Sequence, residues 1–146
     1  MPFVPFVAFV VKITMSNLHA PIPTEVEKTG KFCLDAAFRV HSALGPGLLE
    51  SVYEKVMIYE LDKNELHAKS QVCLPITYDL QTMHTGEICD ILVNECVILE
   101  LKAVERMISL YEAQLLTYLK LSGVRLGYLI NFNVYHLKDG IKRMVL

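Results

Sequence analysis

The sequence predicts one mixed α/β domain, and three observations lead there. Two stretches with apolar residues at helical spacing precede three stretches of strand length joined by short polar turns. A further helical stretch then separates the third strand from a fourth, long enough as a crossover to return that strand parallel to its predecessor. The chain has 146 residues, 53% apolar and 21% charged, which is enough for one sizeable core and too little for two.

Residues 1–13, MPFVPFVAFVVKI, are apolar with two prolines, yet shorter than the roughly 20 residues of a membrane span. They lack the basic start and small-residue cleavage site of a secretory signal. Met15 is a candidate start, making the first 14 residues an upstream addition; a membrane- or partner-contacting tail is the alternative. The chain thus divides into an apolar, irregular tail over 1–23 and a folded domain over 24–146.

Thr24 and Glu27 have capping-box spacing, and Phe32, Ala36, Val40 and Leu44 recur at helical intervals, so 24–44 is predicted to be a helix. Gly45-Pro46-Gly47 ends it. Leu49, Val52, Val56 and Tyr59 carry the helical period through 48–61. Glu50 and Tyr53 share a face there, with Glu54 one turn after Glu50. Taken alone, Glu50 is an exposed first-turn acid favoured by the helix dipole.

Over 68–78, Val72, Leu74 and Ile76 alternate with polar residues as a strand, and 79–82 is a turn. Segments 84–93 and 97–102 complete an antiparallel meander. Residues 107–121 are helical and end at Ser122-Gly123; 124–132 is the fourth strand, and 141–146 can add an edge strand.

A formal charge of −2 gives no bulk attraction for nucleic acid, so any phosphate contact needs a local basic patch. Cys33, Cys73, Cys89 and Cys96 form no CxxC pair, which argues against zinc and iron–sulfur sites. They read as reduced, mostly buried thiols of a cytoplasmic protein.

The stretch 86–102, GEICDILVNECVILELK, carries the chemistry. Two apolar strands meet at a polar turn, and Asp90, Glu100 and Lys102 interrupt them. An unpaired carboxylate in an apolar sheet protonates, finds a cation or binds a metal. Register decides whether they converge. A three-residue loop at 94–96 sets Asp90 opposite Glu100, whereas a two-residue loop sets it opposite Leu99.

Glu100 and Lys102, two apart, share a face. Carboxylates that meet repel, and a hard cation such as Mg²⁺, with Mn²⁺ as a substitute, removes that penalty. The Leu101 carbonyl could add a ligand, while Lys102 could position a water or stabilise an anionic transition state. That is the chemistry of phosphodiester hydrolysis. The alternative is a structural ion pair of Lys102 with Asp90 or Glu100. On the following helix Gln114 and Tyr118 stack four apart, with Tyr111 one turn before; they could serve the sheet carboxylates or a phosphate, or be half-exposed surface.

The run GPGLLESVY, with Gly47, Glu50 and Tyr53, resembles the motif of the GxxExxY proteins. Asp90-Ile91-Leu92-Val93, the run from Val97 to Glu105, the run from Glu112 to Gly123 and Leu129-Ile130-Asn131-Phe132-Asn133 resemble the same family in the same order. That family is similar to a branch of the PD-(D/E)XK nuclease superfamily. The resemblance implies a restriction-endonuclease-like core of helix, three-strand meander, helix and strand, here with an extra N-terminal helix. It implies a metal site of Asp90, the Glu100-Leu101-Lys102 motif and Glu50, and a catalytic set of Asp90, Glu100, Lys102, Gln114 and Tyr118. Where the family pattern commonly carries an arginine two before the aspartate and a histidine three before the glutamine, this chain has Ile88 and Tyr111.

Two functions follow. The first is a Mg²⁺-dependent nuclease acting on DNA, approached along Lys102, Lys120 and Arg125, with Lys138, Lys142 and Arg143 as a second basic patch. The second is a binding or regulatory module that retains the fold with little or no hydrolysis. A homodimer or protein partner is compatible with either.

Overall fold

The computed structural model describes residues 20–146, so the apolar stretch 1–13 and the candidate start at Met15 lie outside the described residues. Helices α1 (Thr24–Leu44) and α2 (Glu50–Lys63) lead into strand β1 (Ala68–Cys73). The short strands β2 (Ile76–Tyr78) and β3 (Gln81–Met83) follow, then β4 (Ile88–Val93) and β5 (Val97–Lys102). Helix α3 (Ser109–Ser122), β6 (Leu126–Asn131) and β7 (Ile141–Val145) complete the domain. Five strands form one sheet in the order β1-β4-β5-β6-β7, and β2 and β3 form a separate hairpin. The meander β1, β4, β5 is antiparallel, and β6 returns parallel to β5 after α3, as the sequence predicts.

The sheet has a helical layer on each face. Cys33, Ala36, Ala37 and Val40 of α1 and Tyr53, Met57 and Leu61 of α2 pack against Val97, Leu99 and Leu101 of β5. On the other face Leu115, Tyr118 and Leu119 of α3 cover Ile98 and Leu129. The two-residue period of β5 therefore sends Glu100 and Lys102 to the α3 side. A Cβ on Gly30 of α1 would meet side-chain atoms of Leu126 and Tyr128 at 3.0 and 3.1 Å, so the helix lies close to the sheet there.

Three expectations change. Thr24 is already the first helical residue, so it cannot cap; the Pro23 carbonyl accepts from the N–H groups of Val26 and Glu27, and no Thr24–Glu27 capping box forms. The predicted apolar stripe of α2 is on the wrong side: Leu49 and Tyr59 are exposed, and the buried line is Tyr53, Met57 and Leu61. Both lines have helical spacing. The choice is made by Tyr53, whose ring stacks on Phe132 at 4.4 Å while its hydroxyl donates to the Gly45 carbonyl at 2.6 Å and accepts from the Leu48 N–H at 3.2 Å. Tyr53 thus pins the loop in which Gly45 and Gly47 take positive φ. Finally, the expected strand over 68–78 is two strands, because Pro75 has no N–H to give to a ladder and the chain leaves the main sheet there.

Candidate active site

The β4–β5 register pairs Ile91 with Leu99, Leu92 with Ile98 and Val93 with Val97, so the connection is the three-residue one and Asp90 falls opposite Glu100. Asn94 and Glu95 close it with positive φ, and Lys69 pairs with Glu95 beside it. Backbone pairing stops at Ile91 and Leu99. Beyond that point side chains bridge the strands: the Asp90 N–H donates to Glu100 Oε1 at 2.8 Å, and the Leu101 N–H donates to Asp90 Oδ2 at 2.8 Å. The carbonyl of a strand residue leaves on the same edge as its N–H, so the Leu101 carbonyl also faces β4.

Gln71 and Asp90 mark a change of face in both strands that meet here. Ile91 and Val93 pack with α1 and α2, whereas Cys89, of the same parity, packs under α3. In β1, Ala68 lies with the first group and Val72 with the second, across Gln71. Gln71 has φ +52, a left-handed conformation that is strained for a residue with a side chain, and the β1–β4 ladder skips from Ser70–Ile91 to Val72–Cys89. The Gln71 amide then donates to Glu54 Oε1 at 2.8 Å and to Asp90 Oδ1 at 3.4 Å. Backbone strain at this point aims one amide at two carboxylates.

The carboxylates are costly where they stand. Glu100 is 3% exposed, and burial, with the Asp90 charge adding to it, pushes its carboxyl up to about 8. Asp90 is raised by burial too, with the Leu101 N–H and then Lys102 opposing. Glu54 is raised by burial and by the charges of Asp90 and Glu50, against the Gln71 hydrogen bond.

On the α3 side Lys102 Nζ lies 4.4 Å from the centre of the Tyr111 ring and donates to Gln114 Oε1 at 3.3 Å. Gln114 Nε2 donates to Tyr118 Oη at 2.9 Å. Burial, then the Glu100 charge, pushes the Tyr118 hydroxyl up to about 12, which keeps it a neutral hydrogen-bonding group. Lys102, Tyr111, Gln114 and Tyr118 line a cleft of about 480 Å³ with Ile76, Glu87 and Leu110. The Tyr111 ring seats the lysine ammonium.

The other expected residues are placed differently. Glu50 is exposed at the start of α2, and its neighbour Glu54 is the acid joined through Gln71 to Asp90. Sequence reasoning noted Glu54 only as a helical neighbour and gave Gln71 no role; the signal for Gln71 lay in long-range pairing, which no local pattern carries. Lys120 is exposed near the end of α3. Arg125 does not join the site. It precedes β6, beside the Val97 end of β5, and donates to the carbonyls of Leu146, Ala20 and Pro21. Of the second basic patch, Lys142 pairs with Glu112 and Arg143 with Glu27. Ile88 pairs with Cys73 at the start of β4 and offers no cation beside Asp90.

Comparison with family models matches residues 27–144 to the PD-(D/E)XK nuclease superfamily. The chain belongs to this superfamily. Comparison with curated proteins and with solved structures returned no match. Nucleases of the PD-(D/E)XK superfamily generally use divalent metals, and the donors here suit one. Among the described residues no three His, Cys, Asp or Glu side chains gather into a metal-holding group. Two adjacent carboxylates and a carbonyl remain. That set fits Mg²⁺, which is commonly bound through one or two carboxylates, keeps several waters and takes substrate phosphate oxygens. A cation beside Asp90 and Glu100 would also offset the repulsion and burial that hold their protons on.

Proposed function

We propose that the domain over 24–146 is a GxxExxY-branch nuclease that hydrolyses DNA phosphodiesters with Mg²⁺ or Mn²⁺. One observation carries it: two carboxylates meet where the β4–β5 ladder opens, with the next lysine of β5 seated over the adjoining cleft. In this reading Asp90, Glu100 and the Leu101 carbonyl hold the cation, with Glu50 or Glu54 of α2 behind them. The cation, when bound, supplies Lewis acidity and lowers the pKa of water. Lys102 places its ammonium against a phosphate oxygen, where charge grows during hydrolysis. Gln114 orients Lys102, and Tyr118 fixes Gln114. Lys120 on α3 is the proposed outer phosphate contact. No helix among the described residues is long and apolar enough to cross a membrane, and a cytoplasmic location is proposed with the nuclease.

The test is cleavage of linear, single-stranded and branched DNA by wild type, Asp90→Ala and Glu100→Ala across a Mg²⁺ and Mn²⁺ titration. Metal-dependent cutting by wild type that both variants lose supports the proposal. Cutting that both variants retain refutes it. If wild type neither binds metal nor cuts, the second reading holds: a nuclease-fold binding module. The observation favouring that second reading is Ile88, which puts an apolar side chain where the family pattern supplies a cation.

A further inference from the structure

The cleft beside Lys102 has walls that phosphodiester hydrolysis alone does not require. The β2–β3 hairpin rises from one wall. Its register pairs Ile76 with Met83, Thr77 with Thr82 and Tyr78 with Gln81, so the hairpin has two unlike faces. One carries the two threonines, whose hydroxyls lie 3.3 Å apart. The other carries Ile76, Met83 and Tyr78, and Ile76 of this face lines the cleft. The apolar strip therefore runs from the cleft outward to Tyr78, which is 73% exposed.

Asp79 and Leu80 form the two-residue turn at its tip, both with positive φ. Leu80 is 95% exposed, so a strained, bulky apolar residue sits there without packing to offset it. Leu110 and Tyr111 of α3 line the same cleft.

We infer that the cleft takes an unpaired nucleic-acid strand, with bases against the hairpin strip and Tyr111 and the backbone phosphate at Lys102. This rests on the nuclease reading of the site and specifies its substrate. A closed duplex presents phosphates and polar groove edges outward and keeps its base faces stacked inside. An unpaired strand presents both parts at once: an anionic backbone and flat apolar faces that stack on aromatic side chains. The cleft offers both parts, Lys102 as its cation and Ile76, Leu110 and Tyr111 as apolar lining, with Glu87 as the one acid among its lining residues. A wholly apolar helix from a partner protein would cover the Lys102 ammonium without bringing an anion to it.

The test is binding, read apart from cleavage. Labelled single-stranded and blunt duplex DNA of one sequence are titrated with protein in EDTA, and fluorescence anisotropy is followed. The expected result is at least about tenfold tighter binding of the single strand. Tyr78→Ser should lose about tenfold on the single strand only, and Tyr78→Phe should retain the affinity. A strand carrying 2-aminopurine should be quenched on binding wild type, a reading that needs no variant.

Equal binding of the two DNA forms with no effect of Tyr78→Ser overturns the inference, even where metal-dependent cleavage upholds the nuclease. Single-strand preference that depends on Tyr78 without any cleavage upholds the inference and refutes hydrolysis. Binding of neither form overturns it in favour of an apolar protein partner.

Discussion

The two ends of β5 hold cavities of similar size and opposite character. At the Val97 end a cavity of about 400 Å³ lies among Pro21, Val26, Cys96, Val124 and Arg125. Its charged groups are already matched: Lys69 pairs with Glu95, and Arg125 is held by three carbonyls. At the Lys102 end the cleft of about 480 Å³ adjoins carboxylates pushed toward their protonated forms and a backbone strained at Gln71. Space alone does not distinguish the two ends. Unrelieved electrostatic cost does, because such cost and backbone strain cluster where ligands bind.

The largest expected effect separates the ends directly. Lys102→Met should lower the rate of any DNA cleavage by about a hundredfold or more, since it removes a cation from the reacting phosphate. Arg125→Met should leave that rate within about twofold while lowering thermal stability. Equal losses in the two variants would erase the contrast.

The next concerns pH. A carboxyl whose folded pKa is raised binds its proton more tightly in the folded state. Its stability contribution is therefore full below the unfolded value and is lost as pH rises. For Glu100 that window runs from 4.5 to about 8, and Asp90 acts in the same direction. Urea unfolding should show wild type losing stability across this window, and Glu100→Gln should flatten most of the slope. Mg²⁺ affinity, measured calorimetrically, should rise over the same range because cation and proton compete for one pair.

Gln71 sharpens the contrast from the strain side. Gln71→Leu keeps the bulk and removes the amide, and should weaken Mn²⁺ affinity by about tenfold, as for other residues that orient a ligand. Gln71→Gly removes the amide and the strain together; it should weaken Mn²⁺ equally but raise unfolding stability by about 1 kcal/mol. If both variants bind Mn²⁺ like wild type, the amide does not set Asp90.

The smallest expected effect belongs to the motif tyrosine. Tyr53→Phe keeps the stack on Phe132 and loses the bonds to Gly45 and Leu48, costing about 1–2 kcal/mol of stability. Cleavage per folded molecule should be unchanged, because Tyr53 belongs to the fold.

Much of this was readable beforehand. The element order, the parallel return of β6 and the stacking of Gln114 on Tyr118 follow from spacing over a few residues. The resemblance named Asp90, Glu100 and Lys102 before any geometry was known. Spacing does not decide the apolar side of α2, because Leu49, Val52, Val56 and Tyr59 form as good a stripe as Tyr53, Met57 and Leu61. Arg125 shares only its charge with Lys102, and charge carries no address.

The sequence by itself singled out Asp90, Glu100 and Lys102 as candidates and put Glu100 and Lys102 on one face, since both are local properties of composition and period. It left two registers open for Asp90 opposite Glu100. Only the tertiary structure decided between them, opened the ladder at that point and brought Gln71, Glu54 and the Tyr111 ring to the site. The physical reason is that these placements depend on pairings between distant segments and on the packing of whole faces, and no short stretch of chain encodes either.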